Sequence, residues 1–199
     1  MSNLWNERYS KKEFIYGTKP NAFLEEQLAK ITAGKIIFPC DGESRNGVFA
    51  AKKGWNVQAF DLSEEGYKKA ILLAKENKVS ISYQLADAME VEYPKESVDV
   101  VALIYAHFPE TIRKKIHQKI INWLKPGGFV ILEAFNPLQL NNNSGGPKEL
   151  SMLYTKEILA NDFKNLMTQE LDLKTIILDE GKYHQGKADV IRYVGKKEK

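Results

Sequence analysis

The stretch IIFPCDGESRNGVFAAKKGWNVQAFDLS, Ile36 to Ser63, decides the fold. Its apolar run Ile36–Phe38 ends at a turn around Gly42, Ser44–Lys53 carries a helical pattern, and a second run, Asn56–Phe60, closes on Asp61. Strand, glycine turn, helix, strand and acid in this order form a parallel crossover of nucleotide-binding type. Gly42 stands alone where such turns usually carry three glycines, so the ligand is the open question.

Working outward, Ser63 is placed to cap a helix running to about Asn77. Val79–Gln84 reads as a third strand, and the wholly apolar Val98–Tyr105 suits a central fourth strand covered on both faces. Ile112, Ile116, Ile120 and Leu124 recur at helical spacing over Glu110–Leu124, and KPGG ends that helix before a fifth strand, Phe129–Glu133. The polar loop Asn136–Leu150 reads as a lid or binding loop. After a helix near Thr155–Phe163, the runs Leu171–Leu178 and Ala188–Val194 flank DEGKYHQGK and predict an antiparallel pair at the sheet edge. The expectation is an α/β chain with a doubly wound, mostly parallel seven-stranded sheet and right-handed crossovers. It is a single domain over 1–199, with an N-terminal helical cap (1–34), a cofactor-binding core (35–135), and a lid loop, helix and C-terminal strand pair (136–199).

Composition limits the class. With 199 residues, 43% hydrophobic and 28% charged, the chain can bury a substantial core. A net charge of +3, partly from the Lys196–Lys199 tail, makes no case for a nucleic-acid partner. One cysteine, Cys40, excludes an intrachain disulfide and suits a reducing, cytoplasmic setting. The start MSNLWNERYSKK has no apolar signal-peptide core, and the run Val100–Ala106 is too short to cross a bilayer, so no membrane partner is expected. A monomer or weak dimer is expected, and no carboxylate–histidine cluster calls for a metal.

At the carboxyl edge of such a sheet, Gly42 lets the backbone approach a ligand, and the following helix turns amide donors toward it. Asp61, 19 residues after Gly42, is placed to accept from a ribose diol, with Leu62 and Ser63 beside it. Asp87 is placed to meet an adenine amine, flanked by Ala88 and Met89. The P-loop pattern and G-x-G-x-x-G are both missing: Cys40 and Ser44 stand near where further glycines would be expected, and Asp41 adds a negative charge. Asp41 would repel a pyrophosphate but tolerate a cofactor with a cationic end, which is the character of S-adenosyl-L-methionine. An adenine-dinucleotide oxidoreductase is disfavoured on the same grounds.

The sequence resembles the class I S-adenosylmethionine-dependent methyltransferases, and among them the small bacterial tellurite-resistance and thiopurine-type enzymes. WNERYSKKEFIYGTKPNAFL is similar to the N-terminal motif of that group. DGESRNGVFAAKKGWNVQAFDLS resembles its first cofactor motif, and LKPGGFVILEAF the passage into the fifth strand. GGPKEL and EGKYHQGKADVI resemble its C-terminal motifs. Phe38, Cys40 and Ser44 replace the acid and two glycines of the usual first motif.

The resemblance implies a Rossmann-like methyltransferase fold, transfer to a small soft nucleophile (a thiol, thiopurine or chalcogen oxyanion), and S-adenosylhomocysteine as product. It places Tyr16 and Gly17 over the methionine end, where an aromatic face favours a sulfonium. Arg45 and Asn46 are candidates for the cofactor carboxylate or an anionic substrate. Tyr105, Ala106 and His107 are expected near the transferred methyl, with His107 and Tyr105 as catalytic candidates. Tyr183 and His184 are expected to reach over the site, while Trp5 and His117 are expected to be core. The alternative is a binding protein with the same cofactor and decayed catalysis.

Overall fold

The structure, a computed structural model, describes residues 2–199. Seven strands form one sheet in the order β3-β2-β1-β4-β5-β7-β6. These are β1 (Lys35–Pro39), β2 (Asn56–Asp61), β3 (Ser82–Leu85), β4 (Val98–Ile104), β5 (Leu124–Phe135), β6 (Met167–Asp179) and β7 (Gln185–Lys196). The first five pair in parallel, and β7 inserts antiparallel between β5 and β6. The expected fold is the observed one.

Alternation along the strands makes two cores. Ile36 and Phe38 of β1 face one side with Val57, Val100 and Ile131, against Phe23, Leu24 and Leu28 of the helix Ala22–Leu28. Ile37 faces the other with Val101, Leu103 and Leu132, against Ile116, Ile120 and Trp123 of the helix Glu110–Trp123. The α-helices among the described residues are α1 (Ser2–Tyr9), α2 (Ala22–Leu28), α3 (Arg45–Lys52), α4 (Glu64–Glu76), α5 (Glu110–Trp123) and α6 (Lys156–Asp162). Ser63 caps α4 as expected, its Oγ accepting from Gly66 N at 3.0 Å.

Two boundaries differ from expectation. β5 starts at Leu124 and includes KPGG. Leu124 pairs with Val98, Lys197 N donates to Gly128 O, and Gly127 N donates to Lys197 O, so backbone partners draw the turn into the sheet. β3 starts at Ser82 rather than Val79, because Lys78 takes a left-handed φ of 57° and Val79 N donates back to Ala74 O, closing α4. The Asn136–Leu150 loop is fastened to β7. Asn136 Nδ2 donates to Val190 O at 3.0 Å, Asn142 Nδ2 to Asp189 Oδ2 at 2.7 Å, and Ser144 Oγ to Lys187 O at 2.5 Å.

Candidate functional site

The carboxyl ends of β1, β2, β3 and β4 converge, and the turns after them line two adjoining pockets. The first, about 690 Å³ including its mouth, is walled by Asp61, Leu62, Asp87, Ala88, Ala106 and His107. The second is walled by Tyr16, Asp41, Glu43, Arg45, Asn46 and His184. Tyr9, Cys40 and Tyr105 border both.

Backbone strain shapes the turns. Cys40, Ser44 and Tyr105 all have left-handed φ values, 55°, 60° and 54°. This is uncommon for residues with side chains and clusters where function dictates geometry. Gly42 shares that conformation, and a side chain there would collide with the phenol of Tyr9, which roofs the turn.

Asp61 is buried at the end of β2. Its Oδ2 accepts from Gly42 N at 3.1 Å and its Oδ1 from Ser63 N at 2.9 Å. A carboxylate has about four acceptor positions, so each oxygen keeps one for a ligand. Burial raises its pKa above the ordinary carboxylate range, opposed by those amides. Asp87 Oδ1 accepts from Met89 N at 2.7 Å, and Oδ2 has no partner among the described residues. Ala88 lines the first pocket, whereas Met89 packs on the core. Ser63 is consumed in capping α4 and in donating from Oγ to Asn6 Oδ1 at 2.7 Å.

Asp41 borders the second pocket, but its Oδ2 accepts from Ser44 Oγ at 2.6 Å and Gly47 N at 3.3 Å, inside the start of α3. Burial raises its pKa to about 7, so the full charge expected beside a cationic ligand is not present at neutral pH. The charge expected of Arg45 is likewise already matched: Nη2 meets Glu180 Oε2 at 2.8 Å, and Nη1 donates to Lys19 O at 3.1 Å. Asn46 Oδ1 accepts from Asn21 N at 2.9 Å. Tyr16 OH accepts from Arg8 Nη1 at 2.7 Å, and its ring lies against His184, centroids 4.5 Å apart.

His107 does not have the free nitrogen that a base requires. Its Nδ1 faces Met152 O at 2.7 Å, and its Nε2 accepts from Phe135 N at 3.2 Å, which fixes the Nδ1–H tautomer. Burial lowers its pKa to about 4 and keeps it neutral. Tyr105 donates to Glu133 Oε1 at 2.8 Å, and burial holds its phenol well above the ordinary range. His184 reaches the second pocket, with Nδ1 against Glu180 Oε2 at 3.3 Å and burial lowering its pKa. Tyr183 is turned to Arg8 and lines neither pocket. His117 is structural, bonded through Nδ1 to Asp162 Oδ2 at 2.9 Å. Trp5, expected in the core, is half-buried and borders the first pocket.

Sequence reasoning missed Tyr9, Glu43, Glu133 and Glu180. Glu43 is buried next to Gly42 and accepts from Ile15 N at 2.8 Å, tying residues 15–16 to the turn. Its place in GESRN was a local signal. Glu133 gave none, and for Glu180 only His184 is near in sequence; their other partners are distant.

Residues 40–128 match the family described as a methyltransferase domain. No curated protein matches the sequence. Many solved structures share the fold, among them the following three. One, from work on conversion of a disulfide bond into a thioacetal group during echinomycin biosynthesis, is 14% identical, with a TM-score of 0.81 over 100% of this chain and 92% of that one. TehB from Haemophilus influenzae is 14% identical, with a TM-score of 0.73 over 99% and 67%. An S-adenosylmethionine-dependent methyltransferase from Clostridium acetobutylicum is 13% identical, with a TM-score of 0.69 over 99% of both.

The matched segment is a methyltransferase domain, and the fold is shared with structures of S-adenosylmethionine-dependent methyltransferases. S-adenosylmethionine is the cofactor of those proteins. The pockets fit that group. Two carboxylates with unused acceptor capacity, Asp61 and Asp87, line the first pocket, and the one guanidinium of the second, Arg45, is neutralised by Glu180. The lining therefore offers open carboxylate acceptors and does not oppose a cation.

Proposed function

We propose that the acceptor is a small soft nucleophile, a thiol, thiopurine or chalcogen oxyanion, aligned in line with the methyl group. The observation that carries this reading is that His107, beside the first pocket, has both ring nitrogens committed and cannot serve as a base, while His184 in the second pocket holds Nδ1 on Glu180 and keeps only Nε2 open. A nucleophile that arrives deprotonated needs no base. The structure from work on disulfide-to-thioacetal conversion, which shares the fold, concerns sulfur chemistry of this kind.

In this reading Asp61 takes the ribose diol, Asp87 the adenine edge, and Tyr9 and Tyr16 roof the site. The bound cofactor supplies an electrophilic methyl group and a good leaving group. A thiol acceptor, its proton lost to water, would take that methyl group on sulfur, and a thioether and S-adenosylhomocysteine would be the products. The protein's part is alignment at about 3–3.5 Å and exclusion of water. Tyr105, held on Glu133, would position the acceptor. The test is S-adenosylhomocysteine formation over a panel of thiols, thiopurines, tellurite, selenite, amines and carboxylic acids. Turnover confined to the sulfur and chalcogen members is expected; turnover only with amines or carboxylic acids contradicts the reading.

A further inference from the structure

A third recess, about 1260 Å³ including its open mouth, lies between residues 16–22 and the Ile176–Gly181 end of the terminal hairpin. Its floor is an ion network buried within the fold. Glu133, fully buried, accepts from Asn21 Nδ2 at 2.6 Å, Tyr105 OH at 2.8 Å and Arg192 Nε at 2.6 Å. Glu180 accepts from Asn21 Nδ2 at 3.3 Å and Arg45 Nη2 at 2.8 Å, and meets His184 Nδ1 at 3.3 Å. Both carboxylates are thus occupied.

What is unmatched is hydrogen-bond donor capacity rather than net charge. The two terminal amino groups of Arg192 have no hydrogen-bond partner among the described residues, and Lys19 Nζ has none at the rim. One unpaired carboxylate, Asp179, faces them from the exposed edge. Arg192 is also immobilised, by Nε on Glu133 and by its guanidinium over the ring of Phe23 at 4.8 Å. A rigid guanidinium with an empty donor edge matches the planar two-oxygen edge of a carboxylate or oxyanion. Ile176 and Leu178 give the recess an apolar side for the rest of such a molecule. Tyr16 and Arg45 line both this recess and the second inner pocket, so they form the partition between them.

We infer that this outer recess holds the methyl acceptor by an anionic group on Arg192, with Lys19 at the mouth and the nucleophilic end directed past Tyr16 and Arg45. The inference rests on the soft-nucleophile reading for the acceptor's reactive end, and adds a carboxylate or oxyanion at the other. Arg192 is a specificity-determining residue here.

The probes are 4-(mercaptomethyl)benzoate and its uncharged parent, benzyl mercaptan, titrated calorimetrically into wild type, Arg192→Lys and Ile177→Glu. Each titration is run with and without saturating S-adenosylhomocysteine. Arg192→Lys keeps a cation for Glu133 and loses the fork; a thermal melt checks its fold. Ile177 is 76% exposed, so Ile177→Glu adds a charge at the mouth without touching the core. Wild type should bind the carboxylate thiol, Arg192→Lys should weaken it about tenfold, and Ile177→Glu several-fold, with benzyl mercaptan unaffected. No binding of the carboxylate thiol to wild type, equal binding by all three proteins, or equal weakening of both thiols would overturn the inference. Failure of S-adenosylhomocysteine itself to bind bears instead on the inner pockets, and the cofactor-free titration still reports on Arg192.

Discussion

Single residues set the chemistry of the inner site through what they have already spent. Asp61 and Asp87 were legible in the sequence because they fall where apolar runs end. His107 was misleading for a physical reason: its partners, Met152 O and Phe135 N, lie 45 and 28 residues away, and no local pattern records them. Asp41 is informative for pH. The folded state holds its proton to about pH 7, while the unfolded chain releases it near the ordinary value of 3.8. Folding therefore takes up a proton in that window, and stability falls as pH rises through it. Asp41→Asn keeps an acceptor for Ser44 and Gly47 and should flatten this dependence, stabilising the protein at pH 8 by up to about 4 kcal/mol. Glu43 and Asp61 shift in the same direction, so some slope remains. Urea denaturation at pH 4 to 8 checks this; an unchanged slope contradicts it.

At the scale of elements, the crossover from β1 through α3 to β2 and the Ser63 cap followed directly from turn and capping residues. α1 did not. It is short and lies over the turn by particular bonds: Asn6 Oδ1 accepts from Ser63 Oγ at 2.7 Å and Glu65 N at 3.3 Å, and Arg8 spans Trp5 and Tyr183. Such tethers join residues nearly 60 apart, beyond the reach of periodicity. Asn6→Ala should cost about 1 kcal/mol, as loss of a helix cap does, measured by thermal melting. By loosening the Tyr9 roof it should also speed S-adenosylhomocysteine release, measured by stopped-flow. An unchanged release rate would separate α1 from the cofactor.

At the scale of the molecule, the parallel core was readable because continuous apolar runs dictate strands buried on both faces, and the terminal hairpin because two strand-like runs flank a short turn segment. The wiring beneath the hairpin was not. The network of Asn21, Glu133, Glu180, Arg45 and Arg192 draws on the N-terminal segment, α3, β5, the hairpin turn and β7. Only the closed topology brings these together, and it is what places one recess beside another. This arrangement matters for function only if the strand ends hold S-adenosylmethionine as described. Calorimetric titration of S-adenosylhomocysteine into wild type and Asp61→Ala tests that most directly. One-to-one binding by wild type, weakened in the variant by about 1–3 kcal/mol, is the predicted result; equal affinity in the two proteins, or no binding by wild type, would contradict it.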